Sequence, residues 1–289
     1  MNQVASPHLF KRMKSKKTGK AKDLDQFYTN PKVAKHCIDL LKTKLSKESL
    51  TYFLEPSAGT GSFSSQLENC ISVDLDPKFV GSIKADFLKL SKEDILKDIN
   101  SNSVCVIGNP PFGKNSSLAV KFFNHSTKFG DVIAFIIPKT FRKDSVLNRL
   151  NLDFTLIEDQ DLPKDSFIYE ENEYDIPSCF QIWVRSSQRR QKVKFVASSH
   201  FDFVKKNNCD FAVRRAGGTA GKAQLDYSDC KIPSFHFLKL KTNKFTAQEM
   251  VDLINSIDFS KQVNSTAGVR SLSKGELVKA LQKKIDSLP

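Results

Sequence analysis

The sequence has few of the features that mark export, membrane insertion or a metal-built framework. Its six cysteines (Cys37, Cys70, Cys105, Cys179, Cys209 and Cys230) are scattered, with no CxxC pair and no His/Cys ligand spacing, which argues against a disulfide scaffold and against a zinc site. No apolar run approaches the length needed to span a bilayer, and the first residues are polar and lysine-rich rather than an apolar leader. The expectations that follow are reduced thiols, no metal, no membrane partner and an intracellular location, cytoplasmic or nuclear. Acidic residues are also in deficit: 32 Asp and Glu against 45 Lys and Arg leave a formal net charge of +13. A surplus of that sign attracts polyphosphates, so nucleic acid is the leading partner class, although a merely solvated basic surface has the same composition.

The 289 residues, 39% of them hydrophobic, suffice for one sizeable core and a smaller appendage. Residues 1–22, with the basic run from Lys11 to Lys22, carry too few hydrophobes to order themselves and are expected to form a flexible arm. From Asn30, a helix cap followed by Pro31, the residues Val33, Cys37, Ile38, Leu41 and Leu45 recur on one helical face. Short apolar runs at 51–54, 71–74, 104–107, 132–137 and 155–157 suit strands buried on both faces. Helices are expected between them, after Gly61 and over 92–99, 117–128 and 141–150. A further strand, 179–184, follows a long acidic and aromatic loop and pairs with its predecessor as a hairpin. The pattern predicts an α/β fold, a doubly wound and mostly parallel seven-stranded sheet over residues 23–187. Beyond Ser186 the composition turns polar and charged, and residues 188–289 read as a smaller α+β region. It has strands at 211–215 and 235–240, a glycine-rich turn at 216–222, and helices at 247–257 and 274–288.

Chemistry concentrates where strands end. The run Glu55-Pro56-Ser57-Ala58-Gly59-Thr60-Gly61 carries a buried strand into a glycine turn, which lets the backbone approach a nucleotide-like ligand. Dinucleotide enzymes share such turns, but the sixth position of their glycine pattern is Ser64 here. The next strand ends in Asp74, placed to accept from ribose hydroxyls, with Asp76 a turn-former or cap beyond it. Asp86 and Phe87 pair an acceptor with an aromatic face that suits an adenine ring. Asn109-Pro110-Pro111-Phe112 directly follows the strand at 104–107. Two prolines fix a rigid backbone there and leave carbonyls without adjacent N–H groups. The N6 nitrogen of adenine is a poor nucleophile because its lone pair is delocalised into the ring. Accepting its two hydrogens, at the Asn109 side-chain oxygen and the Pro110 carbonyl, favours a pyramidal nitrogen; Phe112 stacks on the extruded base.

These residues, in this order, resemble the adenine-N6 amino-methyltransferases of the class I, S-adenosylmethionine-dependent fold, over roughly residues 25–184. The resemblance implies a cofactor loop from Glu55 to Gly61, a ribose acid at Asp74, adenine contacts at Asp86 and Phe87, and a catalytic tetrad from Asn109 to Phe112. It also implies that Asp25-Gln26-Phe27-Tyr28-Thr29 is an N-terminal cofactor motif in which Tyr28 or Thr29 holds the methionine moiety. Because the cofactor motifs precede the tetrad closely, target recognition falls to the C-terminal region, and DNA is the expected substrate. The same tetrad occurs in families that methylate adenosine in RNA, and a silent nucleic-acid-binding subunit of this fold is the rival from another class. In the loop at 160–177, Phe167 or Tyr169 is a candidate second wall for the base, or Phe167 simply packs beneath the loop. Arg214, Arg215 and Lys222, flanking glycines, are candidate phosphate contacts or parts of a plain turn.

Overall fold

The computed structural model describes residues 27–45, 50–97, 99, 104–169, 172–266 and 268–288. The basic arm expected over residues 1–22 lies outside them, as do Asp25 and Gln26. In chain order the first part contains β1 (Tyr28–Thr29), α1 (Pro31–Lys44), β2 (Tyr52–Glu55), β3 (Cys70–Asp74), β4 (Ile83–Lys84), α2 (Lys92–Leu96), β5 (Val104–Gly108) and α3 (Ser117–Ser126). It continues with β6 (Val132–Pro138), α4 (Asp144–Leu147), β7 (Phe154–Asp161), β8 (Phe167–Tyr169), β9 (Asn172–Tyr174) and β10 (Ser178–Arg185).

Seven of these strands form one sheet in the order β4-β3-β2-β5-β6-β10-β7. Neighbours from β4 to β6 run parallel, and β10 runs antiparallel to both β6 and β7. The expected doubly wound, mostly parallel seven-stranded sheet is present. Its strands read as continuous apolar runs because both faces are covered. Along β5, Val104 and Val106 enter one hydrophobic cluster while Cys105 and Ile107 enter the other; along β6, Ile133, Phe135 and Ile137 alternate with Val132, Ala134 and Ile136. One face is covered by α1, whose start is set by the Asn30 side chain accepting from the Lys32 N–H at 3.0 Å and by Pro31 in the first turn. The other face takes Phe122 and Phe123 of α3 and Leu96 of α2.

Two helices expected from the sequence are not formed as such. After Gly61 there is only a single 3-10 turn, Ser64–Gln66, because too few residues remain before Cys70 for a helical crossover. The segment 141–150 is split into a 3-10 turn, Lys139–Arg142, and the one-turn α4, with Lys143 extended between them (φ −78°, ψ 134°).

The remaining chain builds a second, antiparallel sheet from β11 (Phe201–Val204), β12 (Phe211–Arg214), β13 (Ala223–Gln224) and β14 (Phe235–Leu240), in the order β11-β14-β12-β13. Three helices follow: α5 (Ala247–Asn255), α6 (Ser260–Asn264) and α7 (Lys274–Asp286). Met250 and Ile254 of α5 and Leu277 and Leu281 of α7 share one core with Phe201, Phe211 and Leu238 of the sheet. Strand β11 was not expected; its short alternating run Phe201-Asp202-Phe203-Val204 pairs with β14 at the edge of the sheet. Among the described residues no helix is long and apolar enough to cross a membrane, and no group of three or more His, Cys, Asp or Glu is arranged to hold a metal ion.

Candidate active site

From β2 the chain proceeds outward to β3 and β4, whereas from β5 it proceeds the other way to β6. The winding therefore reverses between β2 and β5. In open α/β sheets, ligands bind at the carboxyl ends of the strands beside such a reversal. The glycine turn follows β2 and the Asn109 tetrad follows β5, so the two motifs stand side by side at this point.

The glycine turn is held from below by β3. Ala58 N–H donates to the Val73 carbonyl at 3.1 Å, and Gly59 N–H donates to Asp74 Oδ2 at 2.8 Å. The other Asp74 oxygen accepts from the Asp76 N–H at 2.8 Å, which makes Asp76 part of the turn. Gly59 and Gly61 both take left-handed backbone angles (φ +52° and +78°). A Cβ on Gly59 would come within 2.8 Å of the Tyr28 ring, and one on Gly61 within 2.3 Å of the Phe79 ring. Neither position accommodates a side chain.

Asn109 is fixed on two sides. Its side-chain Nδ2 donates to the Phe27 carbonyl at 3.0 Å, and its own carbonyl accepts from Ser57 Oγ at 3.1 Å. A carbonyl oxygen can only accept, so the Asn109 atom facing Phe27 must be the amide nitrogen, and Oδ1 is turned the other way as a placed acceptor. Pro110 is buried, while Pro111 and Phe112 are half-buried. Above them lies a small antiparallel sheet, β1-β8-β9, with Thr29 opposite Phe167. Ser62 Oγ donates to the Thr29 carbonyl at 2.7 Å and ties this roof to the glycine turn. The resulting crevice is lined by Phe27, Tyr28, Thr29, Glu55, Ser57, Ala58, Gly59, Thr60, Ser62 and Asn109.

Glu55, at the end of β2, is 2% exposed and accepts hydrogen bonds from the Ser64 backbone N–H at 2.9 Å and from the Ser64 hydroxyl. Burial raises its carboxyl to about 7, against the opposing effect of the Ser64 bonds. Gly108, which approaches the Glu55 Cγ where a Cβ would lie at 3.3 Å, completes the contact between the two strand ends.

Other expected site residues do not line this crevice. Phe87 is 2% exposed, with Phe122, Phe129 and His125 around its ring at 5.6, 5.0 and 4.9 Å, so it belongs to the core and not to a ligand face. Asp86 caps the turn at Phe87–Lys89, accepting from Leu88 N–H at 3.1 Å. Phe167 is fully buried and meets Phe112 edge-on at 6.3 Å, which leaves it no open face for a base. Arg214 ends β12, and Arg215 and Lys222 flank the turn between β12 and β13; none of the three lines the crevice. Arg214 sits over the Phe235 ring at 5.4 Å, Arg215 donates to the Pro233 carbonyl at 3.0 Å, and Lys222 is exposed. Of the lining residues, Phe27, Ala58 and Thr60 fall inside the two cofactor motifs read from the sequence, whereas Ser62 lies outside them and was signalled only by following Gly61 directly.

No family model matches the chain, and no curated protein matches it. Among solved structures, a proposed RNA methyltransferase from Pyrococcus horikoshii is similar at 18% identity over 61% of this chain and 94% of that one, with a TM-score of 0.43. A proposed class I S-adenosylmethionine-dependent methyltransferase from Listeria monocytogenes is similar at 12% identity over 57% of this chain and 64% of that one, with a TM-score of 0.42. The 23S rRNA methyltransferase ErmE is similar at 10% identity over 90% of this chain and 100% of that one, with a TM-score of 0.38. At such identities and scores the likeness transfers neither activity nor substrate to this chain.

Proposed function

We propose that the chain is an S-adenosylmethionine-dependent methyltransferase that acts on the N6 amine of adenine in DNA. The observation that carries this reading is Asn109, whose amide nitrogen is spent on Phe27 so that Oδ1 stands as a fixed acceptor beside the glycine turn. The crevice and the turn that borders it suit the cofactor in their chemistry. Two glycines leave bare backbone where no Cβ is accommodated, and an acceptor-only carboxylate, Asp74, stands at the tip of the neighbouring strand. In this assignment Glu55 to Gly61, with Pro56, Ser57, Gly59 and Gly61, cradle the cofactor. Asp74 takes the ribose hydroxyls, Asp86 lies toward the adenine end, and Tyr28 and Thr29 hold the methionine end. When bound, S-adenosylmethionine supplies an electrophilic methyl group on a sulfonium.

The chain's own contribution is positioning and charge stabilisation. Asn109 Oδ1 and the Pro110 carbonyl accept the two amine hydrogens, which keeps the nitrogen lone pair aimed and stabilises positive charge as it develops there. Pro111 rigidifies this arrangement, and the half-buried Phe112, braced edge-on by Phe167, offers its ring to a base taken out of the stack. No general base of high strength is required. The commitment to DNA rests on motif order, with residues 23–187 carrying the chemistry and residues 188–289 the recognition, where Arg214, Arg215 and Lys222 meet phosphates. The test is Asn109→Ala in the full chain. Methyl transfer is abolished while cofactor affinity, measured by calorimetry, stays within about twofold; retained transfer refutes the mechanism.

A further inference from the structure

The loop that joins the tetrad to α3 holds three residues at positive φ within four positions. Gly113, Asn115 and Ser116 all lie in the left-handed region, at φ 68°, 53° and 58°. Residues with a Cβ occupy that region at a cost and stay there only when their surroundings hold them. Here the surroundings are identifiable. The Phe112 carbonyl accepts from the Leu118 and Ala119 N–H groups, both at 3.2 Å, and Arg149 Nη1 donates to the Asn115 carbonyl at 3.3 Å. Ser116, 4% exposed, shares a 2.5 Å hydroxyl–hydroxyl bond with Thr140.

Thr140 belongs to the 3-10 turn at the end of β6, and its carbonyl accepts from the Lys143 N–H at 3.0 Å. Lys143 is the residue that breaks the expected helix, and its side chain explains why. With 10% side-chain exposure, its Nζ donates to the Gln262 carbonyl at 2.8 Å, to the Ser271 carbonyl at 2.9 Å and to the Glu276 carboxylate at 2.8 Å. Those acceptors come from α6, from the segment before α7 and from α7. Next to it, Asp144 pairs with Lys279 of α7 at 2.7 Å. A continuous series of bonds therefore runs from the C-terminal helices through the turn 139–143 to the loop that follows Phe112.

We infer that this turn sets the catalytic loop according to how the C-terminal region is docked, with Thr140 and Lys143 as positioning residues; the inference rests on reading Asn109 to Phe112 as the catalytic tetrad. Lys143 is stretched away from helical geometry to reach three acceptors in the C-terminal region. Thr140 is thereby held against Ser116, which keeps the left-handed loop in place. Recognition of nucleic acid by the C-terminal region then acts on the tetrad through one turn.

Amide hydrogen exchange of the full-length chain, read by mass spectrometry, tests the coupling without depending on activity. In Thr140→Val, which removes the hydroxyl at nearly constant volume, the amides of Ser116, Leu118 and Ala119 exchange about tenfold faster while those of β5 and β6 are unchanged. Thr140→Ser restores protection. Unchanged exchange at these three amides in Thr140→Val overturns the proposal. In Lys143→Met, exchange accelerates at Val263 and Leu277 and also at Ser116, Leu118 and Ala119; acceleration confined to Val263 and Leu277 restricts Lys143 to docking and overturns the coupling. In methyl-transfer assays Thr140→Val lowers kcat several-fold with the KM for cofactor unchanged. A wild-type chain that transfers no methyl group refutes the catalytic reading, and the exchange measurement still decides the coupling.

Discussion

Replacing Glu55 by Gln isolates the energetic cost of a buried carboxylate at the centre of the site. Burial lifts this carboxyl from its ordinary 4.5 to about 7, so between those values the folded chain holds a proton that the unfolded chain has released. Stability therefore falls as pH rises through this window, and the gap of about 2.5 pH units is worth about 3 kcal/mol. The wild-type profile alone hides this, because His236 acts in the opposite sense. His236 is 8% exposed with its ring nitrogen bonded to the Leu272 carbonyl at 3.0 Å, and burial depresses it from 6.5 to about 4. Its contribution is present above pH 6.5 and is lost as pH falls toward 4. The difference between Glu55→Gln and wild type cancels the histidine. In the variant the amide oxygen still accepts from both Ser64 donors, and any fixed cost of the amide shifts the difference without changing its slope. Urea unfolding at pH steps from 4.5 to 8 reads it: the variant gains about 3 kcal/mol relative to wild type across the window and is level beyond it. A difference independent of pH refutes the assignment of a buried, proton-holding Glu55.

Two further substitutions follow from the same geometry. Asp74→Ala removes the carboxylate from the tip of β3 and releases the Gly59 N–H it accepts from; cofactor affinity by calorimetry falls about tenfold to a hundredfold, and an unchanged Kd takes Asp74 out of the site. Gly61→Ala sets a Cβ 2.3 Å from the Phe79 ring at a left-handed backbone position; stability in urea falls by about 1 to 3 kcal/mol, and a loss below about 0.5 kcal/mol contradicts the close contact.

The sheet was legible in the sequence because burial on both faces writes itself as uninterrupted apolar runs, and β5 and β6 show the alternation to two cores directly. The glycine turn, Asp74 and Asn109 were legible because they sit at strand ends, where a doubly wound sheet displays its ligands. What was not legible depended on distant partners. The periodicity of 141–150 suits a helix, but Lys143 is pulled extended by three acceptors more than a hundred residues away in the chain. A doubly wound order calls for a helix after Gly61, yet the short distance to Cys70 and the capture of Ser64 by Glu55 leave that segment as a turn. Phe87 and Phe167 are aromatic residues beside polar neighbours, a pattern shared by ligand walls and by core residues. Only packing separates the two, and it assigns both to the interior.

The central claim is methyl transfer to adenine, and the most direct measurement is transfer of radiolabelled methyl from S-adenosylmethionine to duplex DNA, single-stranded DNA and RNA in parallel, with nucleoside analysis of the products. Labelled N6-methyldeoxyadenosine from DNA is the expected product; label confined to RNA overturns the substrate, and absence of transfer by a chain that binds the cofactor contradicts the methyltransferase reading.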